Sequence, residues 1–203
     1  MPTVRLSKLL CRLLLLSAAL PPLNAIGTNT TIPELQICYD FGCRSKETIR
    51  IEESEWQSIV GWFQPPAVTA TIERKQIRQA IGWMEEIVGR YTPTYRDKAL
   101  NLEHGGQFPG QMDCLDESHN IGHYLSVFES LGFLRHHGVV QPAYRRTIFD
   151  DHWASQIEER ATGTRFVVDG WFQDNGYLPL IEPTQEWLSL SFFRLLPMSL
   201  DTD

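Results

Sequence analysis

DHWASQIEERATGTRFVVDG, residues Asp151–Gly170, is the stretch on which the fold turns. Trp153–Glu158 and Arg165–Trp171 read as strands, and Thr162-Gly163 between them supplies a tight turn. Two strands joined by such a turn pair antiparallel, which brings their outer ends together. Positions 152 and 169 then lie near the same end of one hairpin. Another strand-like run, Tyr144–Phe149, precedes them.

Upstream of this sheet the periodicity is helical. Thr71–Arg90 carries Ile72, Ile77, Ile81, Met84, Ile87 and Val88 on one face, with Arg74, Lys75, Arg78 and Glu85 expected toward water. A second helix is predicted from about Asp113 to Leu131, with Leu115, Ile121, Leu125, Phe128 and Leu131 available for the core. Gly132 closes it, and Arg135, His136 and His137 are expected beyond the negative end of its dipole. A shorter helix from Glu53 or Ser54 through Phe63 ends at Pro65-Pro66. Before it, Leu35–Tyr39 and Thr48–Ile51 read as short strands flanking a loop bounded by Cys38 and Cys43. Tyr91–Gly110, with Pro93 and Pro109, is an irregular connection. Glu186-Trp187-Leu188 suggests a closing helix. Helices followed by an antiparallel sheet define an α+β class, expected as a single domain over residues 35–203.

The N-terminus predicts export. Arg5, Lys8 and Arg12 precede the apolar run Leu13–Leu20, and Pro21-Pro22 interrupts it before the small residue Ala25. Residues 1–25 are therefore expected to be a cleaved signal peptide and residues 26–34 a flexible leader. The apolar run is too short for a bilayer, which needs about 20 residues, so no stable membrane span is expected after cleavage. The expected location is periplasmic or secreted. Losing three basic residues takes the formal charge from −7 to −10. So acidic a chain is a poor fit to nucleic acid or to anionic lipid.

Export leaves Cys38, Cys43 and Cys114. An odd number of cysteines in an oxidising compartment leaves one thiol unpaired or bonded between chains. Cys38 with Cys43 closes the shortest loop; the alternative joins one of them to Cys114. With the local pairing, Cys114 is a thiol at the start of a helix, where the dipole favours its thiolate. His152 and Asp169, at one end of the hairpin, complete a set able to activate it: a carboxylate orients an imidazole, which takes the thiol proton.

Gly110-Gln111-Met112-Asp113-Cys114-Leu115-Asp116, His152-Trp153 and Val167-Val168-Asp169 together resemble the transglutaminase-like cysteine peptidase superfamily. Its core is ordered as a cysteine on a helix, then a histidine and an aspartate on neighbouring strands. The resemblance covers about residues 100–175. It implies a transglutaminase-like (papain-like) core with Cys114 as nucleophile, His152 as general base and acid, and Asp169 as orienting carboxylate. It further implies acyl transfer at an amide of a peptide or protein substrate, with no cofactor. Gln107 and Gln111 are the upstream candidates for a second oxyanion donor, the role a glutamine plays in papain-like enzymes. Trp153 and Trp171 are candidates for a substrate groove. The glycine stands four residues before Cys114 where the family has it two before, and Asp113, Asp116 and Glu117 put acidic side chains around the thiol.

Two other classes fit the same residues. One is a non-catalytic exported binding module of this fold. The other is a metal-binding exported protein using His119 and His123, whose four-residue spacing puts both on one helix face. Asn120 stands where a zincin would need glutamate, and the rest of the ligand set is undefined.

Overall fold

The computed structural model describes residues 32–101, 109–146 and 151–189. The expected signal peptide, most of the expected leader, Gln107 and the apolar tail after Ser189 lie outside the described residues. Among those described, no helix is long and apolar enough to cross a membrane.

The chain starts with an antiparallel ribbon of β1 (Leu35–Tyr39) and β2 (Ser45–Ile49), with Cys38 opposite Lys46. Next come α1 (Glu53–Val60), a 3-10 turn at Gly61–Phe63, and α2 (Ala70–Val88). Another 3-10 turn, Pro93–Arg96, breaks the irregular connection before α3 (Cys114–Ser130). The remaining strands are β3 (His137–Arg146), β4 (Asp151–Glu159), β5 (Arg165–Asp169) and β6 (Leu180–Pro183), and α4 (Thr184–Ser189) follows. They form one antiparallel sheet in chain order. This is an α+β fold with two antiparallel sheets. The strand β6 had no sequence expectation: its four residues are half-buried and carry no alternation.

The main core lies between α1, α2, α3 and one face of the larger sheet. Trp56, Phe63, Ile77, Ile81, Met84, Ile121, Leu125, Phe128, Ile157 and Val168 pack within it. A smaller cluster of Ala143, Ala154, Val167 and Trp187 occupies the sheet's other face, beneath α4. Strand alternation therefore assigns sides. Ser155 and Ile157 face α3, and Ser155 donates to the Ser118 carbonyl at 2.6 Å. Ala154, and with it His152, belongs to the Trp187 side.

Three placements differ from the periodic reading. Glu85, expected toward water, is buried; Leu115, expected in the core, is 47% exposed, and Ile72 is 40% exposed. Leu115 lies off the buried face of α3, which Asp116, Glu117, Asn120 and Ile121 form. A further difference concerns the basic run after α3. The helix ends in a Schellman arrangement, with Phe133 N–H on the Phe128 carbonyl and Gly132 at φ +78°. The run then bonds to Glu73 of α2. The amides of Arg135, His136 and His137 all donate to the buried carboxylate of Glu73, and the His137 ring lies 2.9 Å from Glu73 Oε1. Burial raises the Glu73 pKa, but the His137 ring and these amides outweigh it, leaving the carboxyl below its ordinary value.

Glu73 thus fixes where β3 begins. Replacing it by Ala orphans several buried donors, and the expected cost is about 3–5 kcal/mol. Because the Glu73 pKa is depressed, its contribution is present above the unfolded value and lost as pH falls through the folded one. Denaturant titration of Glu73→Ala at pH 7 and pH 3.5 checks both statements: the loss should shrink at the lower pH.

Candidate active site

The first turn of α3 is built by reciprocal caps. Asp113 accepts from the Asp116 amide at 2.9 Å, and Asp116 reaches back to the Asp113 amide at 3.3 Å. Cys114 is thereby held at the first helical position. The same two carboxylates grip the β1–β2 loop. Asp116 accepts from the amides of Phe41 (2.8 Å) and Cys43 (2.5 Å), and Asp113 from Gly42 (2.9 Å). Asp40, Phe41, Gly42 and Cys43 all have φ between +57° and +66°, which turns these successive amides toward the helix. Cys38 and Cys43 close the loop as a disulfide, with Cα atoms 4.6 Å apart. Gly110 sits at φ +95°, and a Cβ there would lie 2.1 Å from the Pro93 carbonyl oxygen, so only glycine fits the segment leading to Cys114.

Cys114 lies outside the disulfide and is half-buried. Its Sγ stands 3.7 Å from the main-chain oxygen of Asp151, the residue before His152. His152 and Asp169 meet as the hairpin register predicts: Nε2 to Oδ2 is 2.8 Å, and both side chains are buried. The Trp187 indole donates to the same Oδ2 at 2.9 Å. Trp171, Phe172 and Trp187 surround the imidazole, with ring centroids 4.8, 5.2 and 5.4 Å away. Arg145 braces the far side, donating to the Trp187 carbonyl at 3.0 Å with its guanidinium over the indole. His152 Nδ1 is buried and has no hydrogen-bond partner. The structure therefore pairs His152 with Asp169 and places Cys114 beside the start of β4, the strand that carries His152; among the described residues there is no thiol–imidazole hydrogen bond.

The other candidates divide. Trp171 belongs to the imidazole's surroundings. Trp153 points to the opposite face of β4 and packs on Tyr144, with ring centroids 4.6 Å apart and the planes tilted by 36°. Gln111 is buried; its Nε2 donates to the Arg96 carbonyl at 2.5 Å and its Oε1 accepts from Asn101. An open cleft lined by Pro142, Tyr144, Gln156, Thr184 and Leu188 includes none of Cys114, His152 or Asp169. His119 is close to the Cys38–Cys43 pair, with ligand atoms of all three residues within 4.8 Å of one another.

Two elements of the site had no sequence signal. Trp187 lies in an apolar run without periodicity, so nothing marked it as a ligand of Asp169. The second is a set of buried carboxyls behind the first turn of α3. Burial is the leading cause for each, raising Glu85 to about 8, Asp97 to about 7 and Asp116 to about 6. Glu117 is pushed well above its ordinary value by burial and by Glu85, Asp97, Asp169 and Asp116. A neutral Glu117 removes one of the negative charges that the sequence sets around the thiol.

Comparison with protein-family models, with curated proteins and with solved structures finds no match to this chain.

The raised carboxyls predict an unusual stability profile. Between about pH 4.5 and pH 8 the folded state holds protons that the unfolded chain releases, so stability falls as pH rises. His119, whose pKa is lowered by burial and by His123, acts oppositely near its own titration. The carboxyls outnumber it. Thermal melts should give a higher Tm at pH 5.5 than at pH 8, and Glu85→Gln should flatten that difference. A Tm rising steadily to pH 8 would contradict the assignment.

Proposed function

We propose that the chain is an exported cysteine-dependent acyl-transfer enzyme with a transglutaminase-like core, acting on an amide of a peptide or protein. The observation that carries this reading is the buried His152–Asp169 pair, whose second imidazole nitrogen is unpartnered. One peptide unit away, a helix-N-terminal thiol meets the same strand. The basic and apolar N-terminus and the Cys38–Cys43 disulfide support a periplasmic or secreted location.

In this reading Asp169 accepts the Nε2 proton of His152, leaving Nδ1 as the base. Nδ1 takes the Cys114 proton, and the thiolate attacks the amide carbonyl carbon. The tetrahedral intermediate collapses to a thioester as the imidazolium protonates the departing amine. Water, or an incoming amine, then attacks the thioester with His152 again as base, and Cys114 recovers its proton. The dipole of α3 and the neutral Glu117 favour the thiolate. Catalytic hydrogen bonds commonly tighten only when substrate binds, which is the step asked of Cys114 and His152.

The full enclosure of His152 by aromatic rings favours a second reading, a non-catalytic module in which the pair is structural. Alkylation of the native protein with iodoacetamide across pH 5–9, with sites mapped by mass spectrometry, separates the two. The enzyme reading expects Cys114 alone to react, with a midpoint well below about 8.5, the free-thiol value. His152→Ala and Asp169→Asn should raise that midpoint. A Cys114 that reacts only after unfolding would sink the catalytic reading and leave the binding module.

A further inference from the structure

The β1–β2 loop and the adjoining face of α3 gather sulfur and nitrogen donors that the proposed acyl transfer does not use. Sγ of Cys38, Sγ of Cys43 and a ring nitrogen of His119 lie within 4.8 Å of one another. A tetrahedral zinc site, with Zn–S about 2.3 Å and Zn–N about 2.0–2.1 Å, sets its ligand atoms roughly 3.3–3.8 Å apart. The two sulfurs are bonded to each other in the disulfide, so they reach that spacing only once the bond is reduced and they part. The Cys-x4-Cys separation also falls within the range of paired zinc cysteines.

His123 lies one turn along α3 from His119. Its Nε2 is buried with no hydrogen-bond partner. The scaffold is tied on both sides. Asn120, between the two histidines, accepts from the Cys38 amide and donates to the Cys38 carbonyl, each at 2.8 Å. Asp116 holds the Cys43 amide. The two cysteines are thus anchored to the helix that carries both imidazoles by bonds that do not involve sulfur.

We propose that reduction of the Cys38–Cys43 disulfide opens a zinc-binding site formed by Cys38, Cys43 and His119, with His123 as the fourth ligand. A dithiol reductant supplies the two electrons and two protons. It ends as its own disulfide, and the protein holds two thiols. Zinc(II) then displaces both thiol protons to solvent as two Zn–S bonds form. The same loop is clamped by a disulfide when oxidised and by the metal when reduced.

The test uses the full chain carrying Cys114→Ala, so that no third thiol contributes. It is reduced with a phosphine, which does not compete as a thiolate ligand, and is titrated anaerobically with cobalt(II) as the spectroscopic probe. The expected result is one equivalent bound, with thiolate-to-cobalt charge-transfer absorption and the ligand-field bands of a tetrahedral ion, bleached by zinc. The disulfide form should show none of these. His119→Ala should weaken cobalt binding beyond the roughly 10–100-fold typical of losing an outer-shell partner, and His123→Ala should weaken it as well. Circular dichroism confirms that the variants are folded. Bands of equal strength in the disulfide form, or bands that survive His119→Ala unchanged, overturn the proposal.

Discussion

Three backbone amides on two aspartates hold the site together. The amides of Phe41, Gly42 and Cys43 can turn toward α3 only because residues 40–43 run through the left-handed region. Three of those four residues carry side chains, and L-residues adopt such φ values at a cost. The strain is offset by charge-assisted bonds to Asp113 and Asp116 and by the disulfide that closes the loop. Asp40 adds the return connection: its amide donates to the Gln111 carbonyl, and its carboxylate accepts from the Gly110 amide. The N-terminal ribbon therefore sets the starting angle of α3, and with it the position of Cys114.

The same clamp shapes the electrostatics. With the outer carboxylates bonded to amides, the inner ones turn away from water. Asp97 takes the Met112 amide, while one oxygen each of Glu85 and Glu117 has no partner. Buried carboxyls in mutual reach cannot all ionise, so burial and like charge leave them substantially protonated. Simple charge counting from the sequence makes the thiol's surroundings strongly acidic. The folded protein makes them much less so, because the groups nearest the core hold their protons.

How far the fold could be read from sequence follows the strength of local pattern. The hairpin around Gly163 was legible because turn chemistry and strand runs agree, and its register brings His152 to Asp169. The strand β1 was legible as a short apolar run beside the cysteine loop, and the long helices from their 3.6-residue spacing. Glu85 was misplaced because an acidic residue on an amphipathic helix is ordinarily at the surface; here Asn175 and Gly176 fold back on it, a contact remote in sequence. The basic run after α3 was misread for a similar reason. Its partner, Glu73, lies more than sixty residues away and looks like any first-turn helical acid. Trp187 was invisible as a polar partner because a tryptophan in an apolar run signals packing, and its indole N–H matters only once Asp169 is beneath it.

The Trp187–Asp169 bond also bears on what the pair can do. An aspartate with two donors on one oxygen, inside an aromatic enclosure, is held in place more firmly than a solvent-facing carboxylate. It fixes the imidazole by Nε2 and so determines which nitrogen remains available. That nitrogen is buried inside the aromatic enclosure without a hydrogen-bond partner. A purely structural histidine is ordinarily satisfied at both nitrogens, because an orphaned buried polar atom carries a desolvation penalty. Two such atoms fall in this enclosure, His152 Nδ1 and Trp171 Nε1, and of the two only the imidazole nitrogen can accept a proton, which is the part the proposed acyl transfer asks of it.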